Sequence, residues 1–404
     1  MHFLLALLII ILVLVVLISA AIWLDIRIGL KVKRPLIHAR KAVTGFNRFR
    51  YFTNGHELFK EMKQTIESAR HHIHLSFFIF VADEVGSEWL ELLKKKAEEG
   101  VEVRLLVDAL SSFALRKKRA ELVHSGVQLA FSEKPMFPFT FYFLNRRNHR
   151  KLMIIDGKFG YFGGFNVSRD YIGRNSKMGP WHDNHLKIEG ESVPVLQRLF
   201  IEDWQRASKT DLPNKDIYFP NVTKGPSPLA LIGTDGKQLE DYFAKELSSA
   251  RTSIYIASPY FVPSKRLLNV LLDRMRSGVA VTILLPQKKD HPLVQPASFL
   301  YLEPLVKRGA KLFHFYQGFY HSKLFVIDRN RCYLGTANFD QRSLFWNSEF
   351  SGFTTDPGLV HQALHNLEKE IKDKSVAVTL QQIRKRSPFA KLSSRCSGWF
   401  SFFL

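Results

Sequence analysis

Two stretches of this chain repeat one another in every polar position that matters for chemistry. "HRKLMIIDGKFGYFGGFN" occupies residues 149–166 and "HSKLFVIDRNRCYLGTAN" occupies 321–338. Both read H-x-K-x4-D-x6-G-[GT]-x-N, with no insertion in either copy. A single H-x-K-x4-D arises easily by chance, but two copies that both run on to the same Gly and Asn do not. A chain built this way folds as two copies of one unit.

The duplication extends well beyond these stretches. "IESARHHIHLSFFIF" (66–80) aligns with "LSSARTSIYIASPYF" (247–261), and "EEGVEVRLLVDA" (98–109) with "RSGVAVTILLPQ" (276–287). "LVHSGVQLAF" (122–131) aligns with "LVKRGAKLFH" (305–314). Each is a helix end followed by a strand, and Gly100 and Gly278 each close an amphipathic helix. The alternation predicts an α/β fold of two tandem repeats, each a mixed, largely parallel sheet flanked by helices. Pro213, Pro220, Gly225 and Pro226 mark the joint within Asp211–Ser227. The expected division is an anchor at 1–25, a basic linker at 26–45, a first repeat at 46–212 and a second at 213–404.

The motif spacing has a physical meaning. Residues two apart in a strand share a face, so His149 projects with Lys151 and His321 with Lys323. The apolar runs 152–155 and 324–327 then form strands buried on both sides. Asp156-Gly157 and Asp328-Arg329-Asn330 are turns into return strands, which Gly163-Gly164 and Gly335-Thr336 close. Two histidines, two lysines and two asparagines suit displacement at a phosphodiester. One imidazole attacks phosphorus and the other serves as acid, then base. Lys151, Lys323, Asn166, Asn338 and the Thr336 hydroxyl are candidates to hold the phosphate oxygens. The two ammonium groups supply the positive charge, so no metal and no cofactor is expected. Asp156 and Asp328 join the catalytic candidates, although turn formation alone also accounts for them. "WHDNH" and "WNSEF" each offer one acid, Asp183 and Glu349, to orient a partner histidine.

The N-terminus and the charge balance indicate where this chemistry takes place. Phe3 to Leu24 holds no charge and one polar residue, Ser19. As a helix it spans about 33 Å, enough for a bilayer core. A cleaved signal peptide is the other reading, but no basic segment precedes the apolar run. From Ile26 to His56 there are eight basic residues (Arg27, Lys31, Lys33, Arg34, Arg40, Lys41, Arg48 and Arg50) and no acid. A single-pass cell-membrane protein with its globular part in the cytoplasm is therefore expected. The net charge of +21, from 58 basic and 37 acidic residues, calls for an anionic partner. With 34 Phe, anionic lipid is favoured over nucleic acid, which is not expected as a partner. Two cysteines, Cys332 and Cys396, exclude a disulfide scaffold. A Phe-rich insert, "KPMFPFTFYF" (134–143), precedes the first motif and is expected to form a lip toward lipid. The segment 384–404 is basic and then aromatic, suited to membrane contact or to docking. The cluster His71, His72 and His74 lacks the partner spacing of a metal site.

These residues resemble the two motifs of the phospholipase D superfamily, and most closely those of bacterial cardiolipin synthases. The likeness covers nearly the whole chain after residue 45. It includes Tyr171-Ile172-Gly173, "FIEDWQ" (200–205), "SPYFVP" (258–263) and "FDQRSLFWNSEF" (339–350). It implies a phosphatidyltransferase that joins two phosphatidylglycerols and releases glycerol. It also implies a metal-independent site in the cleft between two sheets, with the motifs facing each other. A membrane-tethered phospholipase D or nuclease using the same site is the alternative. One departure is the single apolar segment before the domain, where some synthases have two.

Overall fold

The structure, a computed structural model, describes residues 2–32, 42–212 and 216–404. Lys33, Arg34, Arg40 and Lys41 of the basic run, and Pro213 of the joint, lie outside the described residues.

Among the described residues, fifteen strands form one continuous sheet. From one edge the first half contributes Gln128–Ser132, Glu102–Asp108, His72–Phe77, Leu152–Ile155, Phe159–Gly163, His185–Gly190 and Val43–Phe52. The second half continues with Ser227–Asp235, Ser348–Thr354, Arg331–Gly335, Leu324–Ile327, Ser253–Ala257, Ala280–Pro286, Lys311–Phe315 and Ser375–Ala377. Apart from the last strand, the second half is the first in mirror order, as the internal repeats predict. The expected pair of separate sheets is replaced by one ladder, because Val43–Asn47 pairs antiparallel with Ser227–Leu231 across the joint. The sheet is mixed. Parallel pairs join the three outer helix-linked strands of each half. The strands nearer the middle are antiparallel because each motif strand turns straight back on itself at Asp156-Gly157 or Asp328-Arg329.

Local sequence explains the helix ends. The Asn54 side chain accepts from the His56 and Glu57 amides to start Gly55–Glu67, and Ser264 accepts from Leu267 to start Lys265–Arg276. Gly100 and Gly278 both sit at φ +88 with open space where a Cβ would go. The requirement there is for backbone conformation alone. The helices Val193–Ser208 and Pro357–Lys374 pack into one apolar core fed by strands of both halves. Within it Phe162 and Phe350 meet edge to face at 5.2 Å. The motif strands are thus fixed against each other by a shared core as well as by the ladder.

The N-terminal helix runs from His2 to Val32 without interruption. Its apolar side chains from Phe3 to Ile18 are exposed. The expected break to a linker at residue 26 does not occur. Instead Ile26 is buried with Tyr142 and Trp346, and Ile22 and Leu30 pack beside them. Gly29 makes this possible, since a Cβ there would lie 2.6 Å from the Tyr142 ring. The Tyr142 amide donates to the Asp25 carboxylate at 2.9 Å. The Phe-rich insert therefore has two parts. Thr140–Asn145 is a short helix docked on the N-terminal helix, while Phe137 projects 92% exposed beside it.

His72 and His74 are internal. Gln197 bridges His72 Nε2 and His74 Nδ1, and Arg104 lies 3.0 Å from His74 Nε2. Burial draws His72 down to about 4.

Candidate active site

Each motif histidine is stapled by backbone to the opposite half of the chain. The His149 amide donates to the Ser348 carbonyl at 2.9 Å, one residue before Glu349. The His321 amide donates to the His182 carbonyl at 2.7 Å, one residue before Asp183. The side chains then cross. His149 Nδ1 lies 3.0 Å from both Glu349 oxygens, and His321 Nδ1 lies 2.6 Å from Asp183 Oδ2. Every member of this quartet is buried. With Nδ1–H donating to a carboxylate, Nε2 is left with its lone pair for chemistry.

The lysines lie between these pairs. Lys151 Nζ donates to the His149 carbonyl at 2.7 Å. Lys323 Nζ donates to the His321 carbonyl, lies 3.5 Å from Asp183 and is also close to the His321 ring. Both are almost fully buried, and desolvation pulls both below the ordinary lysine range. The charge of Lys323 acts on His149, and that of Lys151 on His321. The two motifs are therefore one electrostatic unit.

Burial is also the main influence on the imidazoles. His149 is drawn to about 4 and His321 to about 3. Desolvation pushes Glu349 up, but the His149 hydrogen bond, the Lys151 charge and the Thr336 hydroxyl outweigh it and bring it to about 2. Both pairs are thus neutral imidazole on carboxylate at pH 7, which leaves each Nε2 nucleophilic. An anion bound beside these rings would raise both imidazoles again and let one carry a proton. The same shifts make the fold acid-sensitive. The unfolded chain holds these histidines near 6.5, so it binds more protons than the folded one between about pH 6.5 and 4. His72, drawn to about 4, and His185, drawn to about 3, act in the same direction. The melting temperature in detergent is expected to fall steadily as pH drops through that window. A constant melting temperature there would contradict the burial of these rings.

Several residues take places that differ from expectation. Asp156 and Asp328 are at the far ends of the motif strands, about 16 Å of extended chain from the lysines. Asp156 accepts from the amides of Arg70, His71 and His72 at 2.8–2.9 Å. Asp328 accepts from those of Arg251, Thr252 and Ser253. They tie each motif hairpin to the start of its neighbouring strand and touch no catalytic group. Constant spacing is required for that role too, so spacing alone does not distinguish it. Thr336, expected on phosphate, donates its hydroxyl to Glu349 at 2.5 Å and accepts from the Phe350 amide. Gly164 is its counterpart in the first half, where a Cβ would fall 1.9 Å from Asp183 Oδ1. Here the acid itself fills the space that threonine fills in the second copy. Asn166 spans the Ile79 amide and the Tyr171 hydroxyl. Asn338 donates to Asp340 at 3.2 Å, and its buried Oδ1 has no protein partner.

Further side chains pack around the site. Phe78 sets its edge against the His149 ring at 4.8 Å, and Trp181 lies 4.9 Å from His321. Beyond Trp181 opens a cavity of about 430 Å³, lined by His56, Tyr171, His182, Lys369 and Lys374 among others. Arg150, the middle residue of H-x-K, lies in the extended segment just before the strand Leu152–Ile155 and is fully buried. It makes bonds of 2.6 and 2.7 Å to Asp203 and one of 2.9 Å to Asp235, and its Nε donates to the Glu349 carbonyl. The signal for Arg150 was available in "FIEDWQ", whose Asp203 lacked an assigned partner.

Fold and site together define a two-repeat protein of the phospholipase D type, with the two motifs brought together at one candidate site. Comparison with known proteins agrees. Residues 62–204 and 243–371 match the family described as "Cardiolipin synthase, PLD-like domain". The chain is 38% identical over 334 residues to the minor cardiolipin synthase ClsB of Bacillus subtilis, covering 82% of this chain and 83% of that protein. It is 38% identical over 371 residues to a cardiolipin synthase of Staphylococcus aureus, covering 89% and 74%. Among solved structures, the phosphatidylserine synthase of Haemophilus influenzae superposes with a TM-score of 0.71. It is 13% identical and covers 89% of this chain and 97% of its own, which is a likeness of fold. The chain belongs to the cardiolipin synthase family of phospholipase D-like proteins.

Proposed function

We propose that this protein is a phosphatidyltransferase that makes cardiolipin and glycerol from two molecules of phosphatidylglycerol. In the first step Nε2 of one imidazole forms a bond to the donor phosphorus. The bond from phosphorus to the glycerol oxygen breaks, and the other imidazole gives that oxygen its proton. In the second step the acceptor lipid's terminal hydroxyl attacks phosphorus. It loses its proton to the now neutral second imidazole, and the nitrogen–phosphorus bond breaks. Lys151 and Lys323 balance charge on the phosphoryl oxygens, and Glu349 and Asp183 hold the rings.

One observation carries the choice of transferase over hydrolase. The N-terminal apolar helix docks through Ile26 on Tyr142 and Trp346, three residues before the Glu349 that holds His149, which supports a site close to the bilayer, where lipid alcohol is abundant and water scarce. The test is the full-length protein in phosphatidylglycerol vesicles, with lipids and glycerol quantified together. Cardiolipin and glycerol are expected in equal amounts, with chelator leaving the rate unchanged and phosphatidic acid a minor product. Phosphatidic acid as the main product would assign the protein as a hydrolase.

The basic residues after the apolar helix support a catalytic domain on the cytoplasmic side of a single span. Cys396→Ser with Arg276→Cys puts a reporter thiol on an exposed helix end. It is expected to resist an impermeant maleimide in intact cells and to react after permeabilisation. Labelling of intact cells would reverse the orientation.

A further inference from the structure

The last helix, Pro388–Trp399, is built inside out. A helix in water buries its apolar stripe and exposes its polar one. Here Ser394 and Ser397 are buried, as is Ser401 just beyond, against the helix Val294–Lys307. Gly398 lies so near Leu300 that a Cβ would come within 2.4 Å of it. The large apolar residues point outward instead. Phe389 is 80% exposed, Leu392 58%, Trp399 81% and Phe400 52%. At about 100° per residue, 389, 392 and 399 fall on one stripe with Phe400 beside it, while Lys391 and Arg395 border one edge of that stripe. Scattered exposed apolar residues are ordinary on soluble proteins, but reversal of a whole helix is not.

The segment is firmly held, so this orientation is fixed. Trp346 Nε1 donates to the Phe402 carbonyl at 2.7 Å, and the Arg342 amide donates to the Leu404 carbonyl at 2.7 Å. Phe402 and Phe403 pack on Trp346 at 5.2 and 5.6 Å. Trp346 is also where Ile26 of the N-terminal helix docks. The C-terminal segment and the apolar helix therefore meet at the same side chain. No acid follows Asp373, while Lys374, Arg384, Lys385, Arg386, Lys391 and Arg395 do.

We infer that Pro388–Phe403 lies in the headgroup region of an anionic bilayer, with Phe389, Leu392, Trp399 and Phe400 inserted and its bases on lipid phosphates. The inference rests on the membrane reading of the N-terminal helix, adds a second contact to it, and fixes how the catalytic domain tilts toward the surface. The test uses the full chain with Cys396→Ser in phosphatidylglycerol nanodiscs. A polarity-sensitive fluorophore is placed singly by Phe389→Cys, Phe400→Cys, Leu12→Cys or Arg276→Cys. Lipids brominated on their acyl chains are expected to quench positions 389 and 400 by about two-fold or more, with blue-shifted emission, and to leave 276 unchanged. Position 12 reports the N-terminal helix independently. Quenching at 12 with none at 389 or 400 would overturn the inference and leave the anchor intact. Absence at all four would overturn both.

Discussion

His149→Ala and His321→Ala are each expected to remove nearly all phosphatidyl transfer, because the centre needs one imidazole as nucleophile and the other as acid and base. Loss of the nucleophile should cost about 10⁴-fold or more, and loss of the acid–base partner about 10²–10⁴-fold. The losses will not add, since either deletion stops the same cycle. A donor lipid with a p-nitrophenol leaving group distinguishes the two roles, because that group departs without a proton. The variant that lacks only the acid should recover the first step on this donor, and the variant that lacks the nucleophile should not. Glu349→Gln and Asp183→Asn remove the carboxylate behind each ring and should cost about 10–100-fold in turnover. Near-normal turnover in either alanine variant, with folding intact, would mean that the two halves do not share a site.

Arg150→Met is expected to lower stability by about 3–5 kcal/mol, because it leaves buried carboxylates without their partner. Arg150 is fully buried, and it joins Asp203 of the first half to Asp235 of the second. Arg206 contacts the same two acids but does not replace the lost guanidinium between them. The control is Arg329→Met, which breaks an exposed pair with Glu368 and should cost less than about 1 kcal/mol. Denaturant unfolding in detergent compares the two variants. Equal, small effects would show that the interior network contributes little to holding the halves together.

These two sites also show what was legible in the sequence. His149, Lys151, His321 and Lys323 were evident because duplication in register makes their co-occurrence hard to explain otherwise. The fold class followed from the same repeats, and the mirrored strand order agrees with it. Asp156 and Asp328 were overread, since a carboxylate that ties down three backbone amides must be as fixed in spacing as a catalytic one. The crossing of His149 to Glu349 and His321 to Asp183 was not legible. It arises from backbone bonds between residues 199 and 139 positions apart, such as 149 with 348 and 321 with 182. The role of Arg150 is not legible for the same reason, because its partners lie 53 and 85 residues away. Thr336 and Gly164 form the most instructive pair. One position of the repeat carries a hydroxyl in one copy and space in the other, according to which acid approaches it.

One histidine of this crossed pair is expected to carry the phosphatidyl group between two lipids. The direct measurement is to mix the protein with phosphatidylglycerol labelled at phosphorus, quench within milliseconds to seconds, and map the bound label. The label should survive alkali and be lost in acid, as a phosphoramidate is, and should sit on His149 or His321 alone. It should be absent when that residue is alanine and should disappear when unlabelled acceptor lipid is added. Label on any other residue, or steady turnover with no covalent label at any time, would contradict it.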